Sequence, residues 1–317
     1  MLRPAGHSVR AKRTFTMHGS TELGILFALG TAFSWATAGI IHTAIARRVG
    51  VQGVMLLRQP VAAAALGAVC LFSGVPLLTS PHFLWLAAAS GLTGILVGDA
   101  CLYAGALRIG LRPAQVCLSL SAAFTAIIGA MFLGERIGLQ GALGIGIATA
   151  GVILVVASER GDAHNPPADR RVRARGIALC LLSALMLAVG MIFSKQALSE
   201  GMDALSLALY RNGVSMIGII LVTALRGSIR PVFAAVREHP GVFRLVPPGC
   251  LFGPAGGIWL SCLAIDYLPA SVASMLIGLE PIALLIIMGL MERRMPRRDS
   301  VIGAVIACAG AAVLVSR

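Results

Sequence analysis

This chain has little charge. Asp, Glu, Lys and Arg together make up 12% of its 317 residues, about half the share of a soluble domain. The few charges are bunched between long apolar runs. Acids are scarcer than bases, 13 against 26, for a formal net charge of +13. Aromatic residues are also few, with 11 Phe, 3 Trp and 3 Tyr, mostly inside apolar runs. Stacking platforms and a clustered basic groove are therefore both missing, which excludes a nucleic-acid partner. The seven cysteines (Cys70, Cys101, Cys117, Cys180, Cys250, Cys262, Cys308) form no Cys-x-x-Cys and face no His-rich segment. They read as small apolar filler, with no metal site or disulfide framework. No His-x-x-Glu-His, nucleophile elbow, phosphate loop or Asp-rich metal motif occurs, and the six His fall in tails, loops or helix ends. The expectation is no catalytic residue, no cofactor and no ATP drive.

What is abundant is apolar sequence, 57% of the chain, with 37 glycines. That profile is polytopic membrane protein, in which small residues let helices approach closely. Residues 1–21 form a polar, basic extension, and Met17, just before the first apolar run, reads as the true start. The run that follows is too long for a signal-peptide core. Runs long enough to cross a hydrocarbon layer of about 30 Å fall at 22–44, 53–73, 82–106, 113–134, 138–157, 176–198, 204–225, 242–264, 270–291 and 300–316. The fold class expected is all-α, with ten transmembrane helices. One polar stretch, 158–175, carries Asn165-Pro166-Pro167 and five arginines and reads as a linker. It leaves five segments on each side, 22–157 and 176–316. Five crossings per half force the halves into opposite orientations, the inverted-repeat plan whose binding site lies near the midplane between halves.

The duplication is visible in the residues. Leu56-Leu57-Arg58 opens the second segment and Leu209-Tyr210-Arg211 the seventh. Arg112-Pro113-Ala114 opens the fourth and Leu268-Pro269-Ala270 the ninth. Gly134-Glu135-Arg136 closes the fourth and Met291-Glu292-Arg293 the ninth. Gly144 and Gly151 match Gly303 and Gly310, each pair 159 apart. Over about 22–316 the chain resembles the drug/metabolite transporter superfamily, the branch built of two EamA repeats. The most specific pieces are Leu56-Leu57-Arg58, Phe132-Leu133-Gly134-Glu135-Arg136 and Ala150-Gly151-Val152-Ile153-Leu154-Val155. Met291 departs from the Gly that precedes the acid in the first half. The resemblance implies a membrane-embedded carrier that exports or exchanges small metabolites, and it names no substrate.

An ionisable residue inside a membrane is a functional candidate, because a centred charge costs ~2.5 kcal/mol or more. Glu280, mid-segment and followed by Pro281, suits proton coupling, and a capping or otherwise structural carboxyl is the alternative. Asp99, after Gly91, Gly94 and Gly98, would bind a substrate amine or proton, or else pair with a fixed Arg or with Tyr103. Arg58 and Arg211 would hold a carboxylate or phosphate, or else snorkel to the headgroups. Lys195 has the same two readings. Trp35, with Ser34 and Thr37, and Tyr103, Tyr210 and Trp259 would line a cavity or pack. Glu135-Arg136 and Glu292-Arg293 look like interfacial anchors. Gly141, Gly144 and Gly151 on the fifth segment, and Gly303, Ala307 and Gly310 on the tenth, make small-residue faces that pack within the chain or across a homodimer.

The leading reading is a secondary carrier of a small polar metabolite or drug-like solute in the inner cell membrane, with lipids as its other partner. A sensor or assembly subunit that keeps the carrier fold is the alternative. Orientation follows from Lys and Arg: the loops after odd segments hold Arg47, Arg48, Arg108, Arg112, the linker arginines and Arg226 to Arg244, while the even loops hold little beyond Arg136 and Lys195. This bias places the odd loops in the cytoplasm and both termini outside, opposite to what the resemblance implies. A phosphatase active only outside the cytoplasm, fused after Arg317, should be active, and activity of a cytoplasm-only reporter there would reverse the orientation.

Overall fold

A computed structural model describes residues 17–75, 80–133, 138–158, 169–292 and 298–315. The extension before Met17, most of the Arg- and Pro-rich linker, Glu135-Arg136, Arg293 and the side chain of Glu292 lie outside the described residues.

Every element among the described residues is helical, and seven helices are long and apolar enough to cross a membrane. In hydrocarbon a backbone amide has no water to turn to, so the helix, which satisfies its own amides, is what an apolar run of this length becomes. Helix α1, Met17–Phe72, runs on where a loop was expected between 44 and 53. The whole change of direction falls on Gly50, at φ 73° and ψ 172°, a conformation that suits glycine. Helix α2, Pro81–Ile109, starts with Pro81 in its first turn and Ser80 as N-cap, whose Oγ accepts from Phe83 N at 3.3 Å. It stops at Gly110 (φ 91°). Helix α3, Leu111–Phe132, is interrupted at Leu120. Helix α4 is Leu139–Ser158, and α5, Arg170–Ser199, is capped by Asp169.

In the second half, Asp203 caps α6, Ala204–Leu225, accepting from the amides of Leu205 (2.8 Å) and Ser206 (3.0 Å). Residues 229–238, expected to be loop, form a short helix α7, Ile229–Glu238. Val232 and Val236, one turn apart, are buried in a cluster with Ile45, Val49 and Val54 of α1, while Arg230 and Arg237 stay outside. Helix α8 is Val246–Tyr267, and α9, Ala270–Met291, is interrupted at Gly278-Leu279. Helix α10 is Arg298–Val315.

Two further irregularities matter for the site. Residues Gly91–Asp99 of α2 and Leu251–Ala255 of α8 are wound as π helix. A π turn inserts a residue into the helical register and re-aims the side chains that follow. In α8 it coincides with Pro254, which has no N–H to give.

The helices are clamped by small residues. A β-carbon on Gly190 of α5 would lie 2.9 Å from Gly94 Cα of α2, and one on Gly91 would lie 2.5 Å from Arg211 O of α6. Beside the first contact, Ser90 Oγ donates to Gly190 O at 2.7 Å. The glycine faces of the fifth and tenth segments meet one another within the chain: a β-carbon on Gly151 would fall 2.4 Å from Ala307 N, and one on Gly310 would fall 2.3 Å from Ala148 N. Gly146, on the same helix, faces open space. Gly151→Ala should therefore lower the unfolding temperature by several degrees, because forced overpacking costs about 1–3 kcal/mol. Gly146→Ala should not lower it, and equal effects would disprove the α4–α10 contact.

Candidate functional site

The second half of α1 delivers Arg58 into the protein, 3% exposed. It does not snorkel. Its Nη2 donates to Asp99 Oδ2 in a direct ion pair, and its Nη1 donates to the Tyr103 hydroxyl at 3.0 Å. Asp99 is the last residue of the π turn in α2, and Tyr103 follows four residues later, so both point the same way. The Tyr103 hydroxyl lies 2.9 Å from His42 Nδ1. Arg58 also stacks over the Tyr103 ring at 5.2 Å from the centroid. One connected group, Asp99–Arg58–Tyr103–His42, is thus assembled from two helices of the first half.

Glu280 opens the second part of α9, just after the interruption at Gly278-Leu279. At a helix N-terminus the exposed amides favour a carboxylate. It is buried, and its Oε1 accepts from Gln115 Nε2 of α3 at 2.7 Å, a bond between the two halves. Arg211 of α6 is 2% exposed and extends over Gly94 in the π turn of α2, where a β-carbon would lie 3.5 Å from Nη2. Its Nη1 is 3.5 Å from Cys262 Sγ.

These side chains meet at a cavity of about 630 Å³ between the two halves of the chain. Trp35, His42, Arg58, Asp99, Tyr103, Gln115, Arg211 and Glu280 line it, with Ile95, Leu102, Leu187 and Ile258 as apolar wall. A second space of about 220 Å³ adjoins it and shares Trp35, Gln115, Leu118, Leu187 and Glu280. Gln115 and Glu280, joined by their hydrogen bond, therefore line both spaces.

Of the residues picked from the sequence, Glu280, Asp99, Arg58, Arg211, Trp35 and Tyr103 are brought together here. Lys195 is not: its Nζ donates to Ile265 O at 2.7 Å and Leu268 O at 2.8 Å, holding the C-terminal end of α8. Ser34 and Thr37 turn their hydroxyls to backbone carbonyls of Phe252 and Phe33, and they, Tyr210 and Trp259 do not line the cavity. His42 corrects the placing of every histidine in a tail, loop or helix end. It lies well inside α1, 1% exposed, because the helix continues to Gly50 instead of ending near 44. Gln115 was missed as well: one amide in an apolar run carries no periodic signal.

The model of the EamA-like transporter family matches this chain twice, over residues 22–157 and 174–316. No curated protein matches it. A solved structure described only as the crystal structure of a protein superposes with a TM-score of 0.71 at 17% identity, covering 92% of this chain and 94% of that one. At that identity the likeness establishes a common fold. With an all-helical, multi-pass membrane architecture and two family units spanning most of its length, the chain belongs to the EamA-like transporter family.

Proposed function

We propose that this protein is a secondary carrier in the inner cell membrane, crossing it ten times as two inverted five-helix halves, and that it exports or exchanges a small solute by alternating access. The observation that carries this reading is convergence. Trp35, Arg58, Asp99 and Tyr103 come from the first family unit and Arg211 and Glu280 from the second, yet all six line one cavity. Charges in a membrane are costly to bury. A chain with so few of them has gathered charged residues of both signs around one space.

The geometry supports a division of labour. The Asp99–Arg58–Tyr103–His42 group lies wholly within the first half and keeps its bonds when one half rocks against the other. The Gln115–Glu280 bond links the halves and must break when they separate. Glu280 is then the group that exchanges its partner during the cycle, and it couples solute movement to an ion gradient by binding a proton or cation when Gln115 leaves. The interruptions at Leu120 and Gly278-Leu279 give α3 and α9 the broken form that lets such helices hinge beside a binding site.

The test is counterflow in proteoliposomes, with labelled amino acids, sugars, nucleosides and cationic drugs offered in turn. One class should exchange. Glu280→Gln keeps the size and the helix start but not the charge, and it should lower gradient-driven flux at least about 100-fold, as loss of an essential acid–base group does, with an unchanged amount of folded protein. Full flux in Glu280→Gln would remove Glu280 from the cycle, and no exchange by any class would count against the carrier reading.

A further inference from the structure

Arg58 and Arg211 stand in related places. Each follows two residues of the same pattern near the start of the second apolar segment of its half, and each is buried, 3% and 2% exposed. Both reach the same cavity. The Nε of each is buried without a partner, so the terminal nitrogens distinguish them. Those of Arg58 are met by the Asp99 carboxylate and the Tyr103 hydroxyl. Those of Arg211 meet only a thiol, Cys262 Sγ at 3.5 Å.

The reason lies in the two π turns. In the first half the turn ends on Asp99, which supplies the anion for Arg58. In the second half the turn reads Leu251-Phe252-Gly253-Pro254-Ala255, and no Asp or Glu occurs anywhere from 245 to 265. The carbonyl of Pro254 is taken by Asn212 Nδ2 at 2.8 Å. The two acids in the cavity are already engaged, Asp99 by Arg58 and Glu280 by Gln115. An uncompensated guanidinium in a buried site is strongly unfavourable, and a ligand that brings the missing anion relieves it.

On the carrier reading above, we propose that the transported solute carries a carboxylate, and that Arg211 binds it in the position that Asp99 fills for Arg58. The planar guanidinium matches a carboxylate through two parallel bonds. One vacant guanidinium matches one negative charge. A phosphate dianion would leave a charge unmatched beside Asp99 and Glu280. Ile95, Leu102, Leu187 and Ile258, which line the same cavity, fit an apolar body. The solute class is a small organic acid with an apolar side chain, with or without an amino group.

The experiment uses the full chain in nanodiscs and two matched trios: L-leucine, its deaminated acid 4-methylpentanoate and its decarboxylated amine 3-methylbutylamine; and L-phenylalanine, 3-phenylpropionate and 2-phenylethylamine. Unfolding temperature is followed as each is titrated, since a ligand that binds only the folded state raises it. Members with a carboxylate should raise it and the amines should not. Arg211→Gln should weaken the acids roughly 100-fold, as expected when one side of a buried charge pair is removed. Arg211→Lys, which keeps the charge but not the fork, should restore part of the affinity. Without ligand, Arg211→Gln should unfold no lower than the parent, because it removes an unpaired buried charge. Stabilisation by the amines alone, silence from every acid, undiminished binding in Arg211→Gln, or a ligand-free Arg211→Gln that unfolds several degrees lower would each overturn the proposal. Counterflow separates it from the carrier reading. An acid bound through Arg211 but never exchanged sinks the carrier and keeps the site, whereas exchange of an amine without acid binding does the reverse.

Discussion

In a membrane interior, irregular backbone is tolerated only where something other than lipid can satisfy it. That constraint organises this protein. The described crossings contain four departures from α-helix besides the turn at Gly50: the π turns at Gly91–Asp99 and Leu251–Ala255, and the interruptions at Leu120 and Gly278-Leu279. All four border the two central spaces. Gly94, Ile95 and Asp99 come from the first turn and Gly253 and Pro254 from the second, while Ser119, Ser121 and Gly278 flank the interruptions. The irregular backbone and the charged side chains are therefore one feature. Each irregular segment turns at least one residue to these spaces.

The glycines serve the same end. Gly91, Gly94 and Gly190 bring α2 within backbone contact of α5 and α6, which carries Asp99 and Tyr103 inward to Arg58 and lets the Arg211 side chain pass over the π turn. In a membrane no hydrophobic drive pulls helices together, so close van der Waals contact must do it. The α4–α10 pair uses that contact at a distance from the cavity. The core pairs use it to set the depth of the charged groups.

How much of this is legible in the sequence follows from the range of each signal. The apolar runs, the polar linker and the ordered repeat of Leu-x-Arg, x-Pro-Ala and x-Glu-Arg are local, and they lead to a multi-pass, duplicated transporter fold that the family match bears out. The buried ionisable residues are legible for the same reason, being exceptions within apolar runs. What is not local is lost. Both arginines admit snorkelling in the sequence, and only packing puts them inside. Nothing in the spacing says that Asp99 takes Arg58 and leaves Arg211. His42 is misjudged because Ala44-Ile45-Ala46 continues the helix past the expected end, and α7 because a single turn of valines, Val232 and Val236, is too short to stand out from its basic loop.

The duplication places two related arginines in different surroundings at one cavity. Two copies of a helix pair would each supply an arginine to the midplane, and with both charges unmet the empty cavity would be hard to keep. In the first half a fixed carboxylate meets the arginine: Asp99 pairs with it, Tyr103 stacks on it, and His42 extends the chain of bonds to the first part of α1. Leaving the other half's π turn without an acid keeps one arginine poorly met. The second half also holds the cavity's other acid, Glu280, with an uncharged amide from across the divide as its partner. An amide–carboxylate bond is easier to exchange than an ion pair, because no opposite charge is stranded when it opens. In the proposed cycle the first half holds still and the second half changes partners.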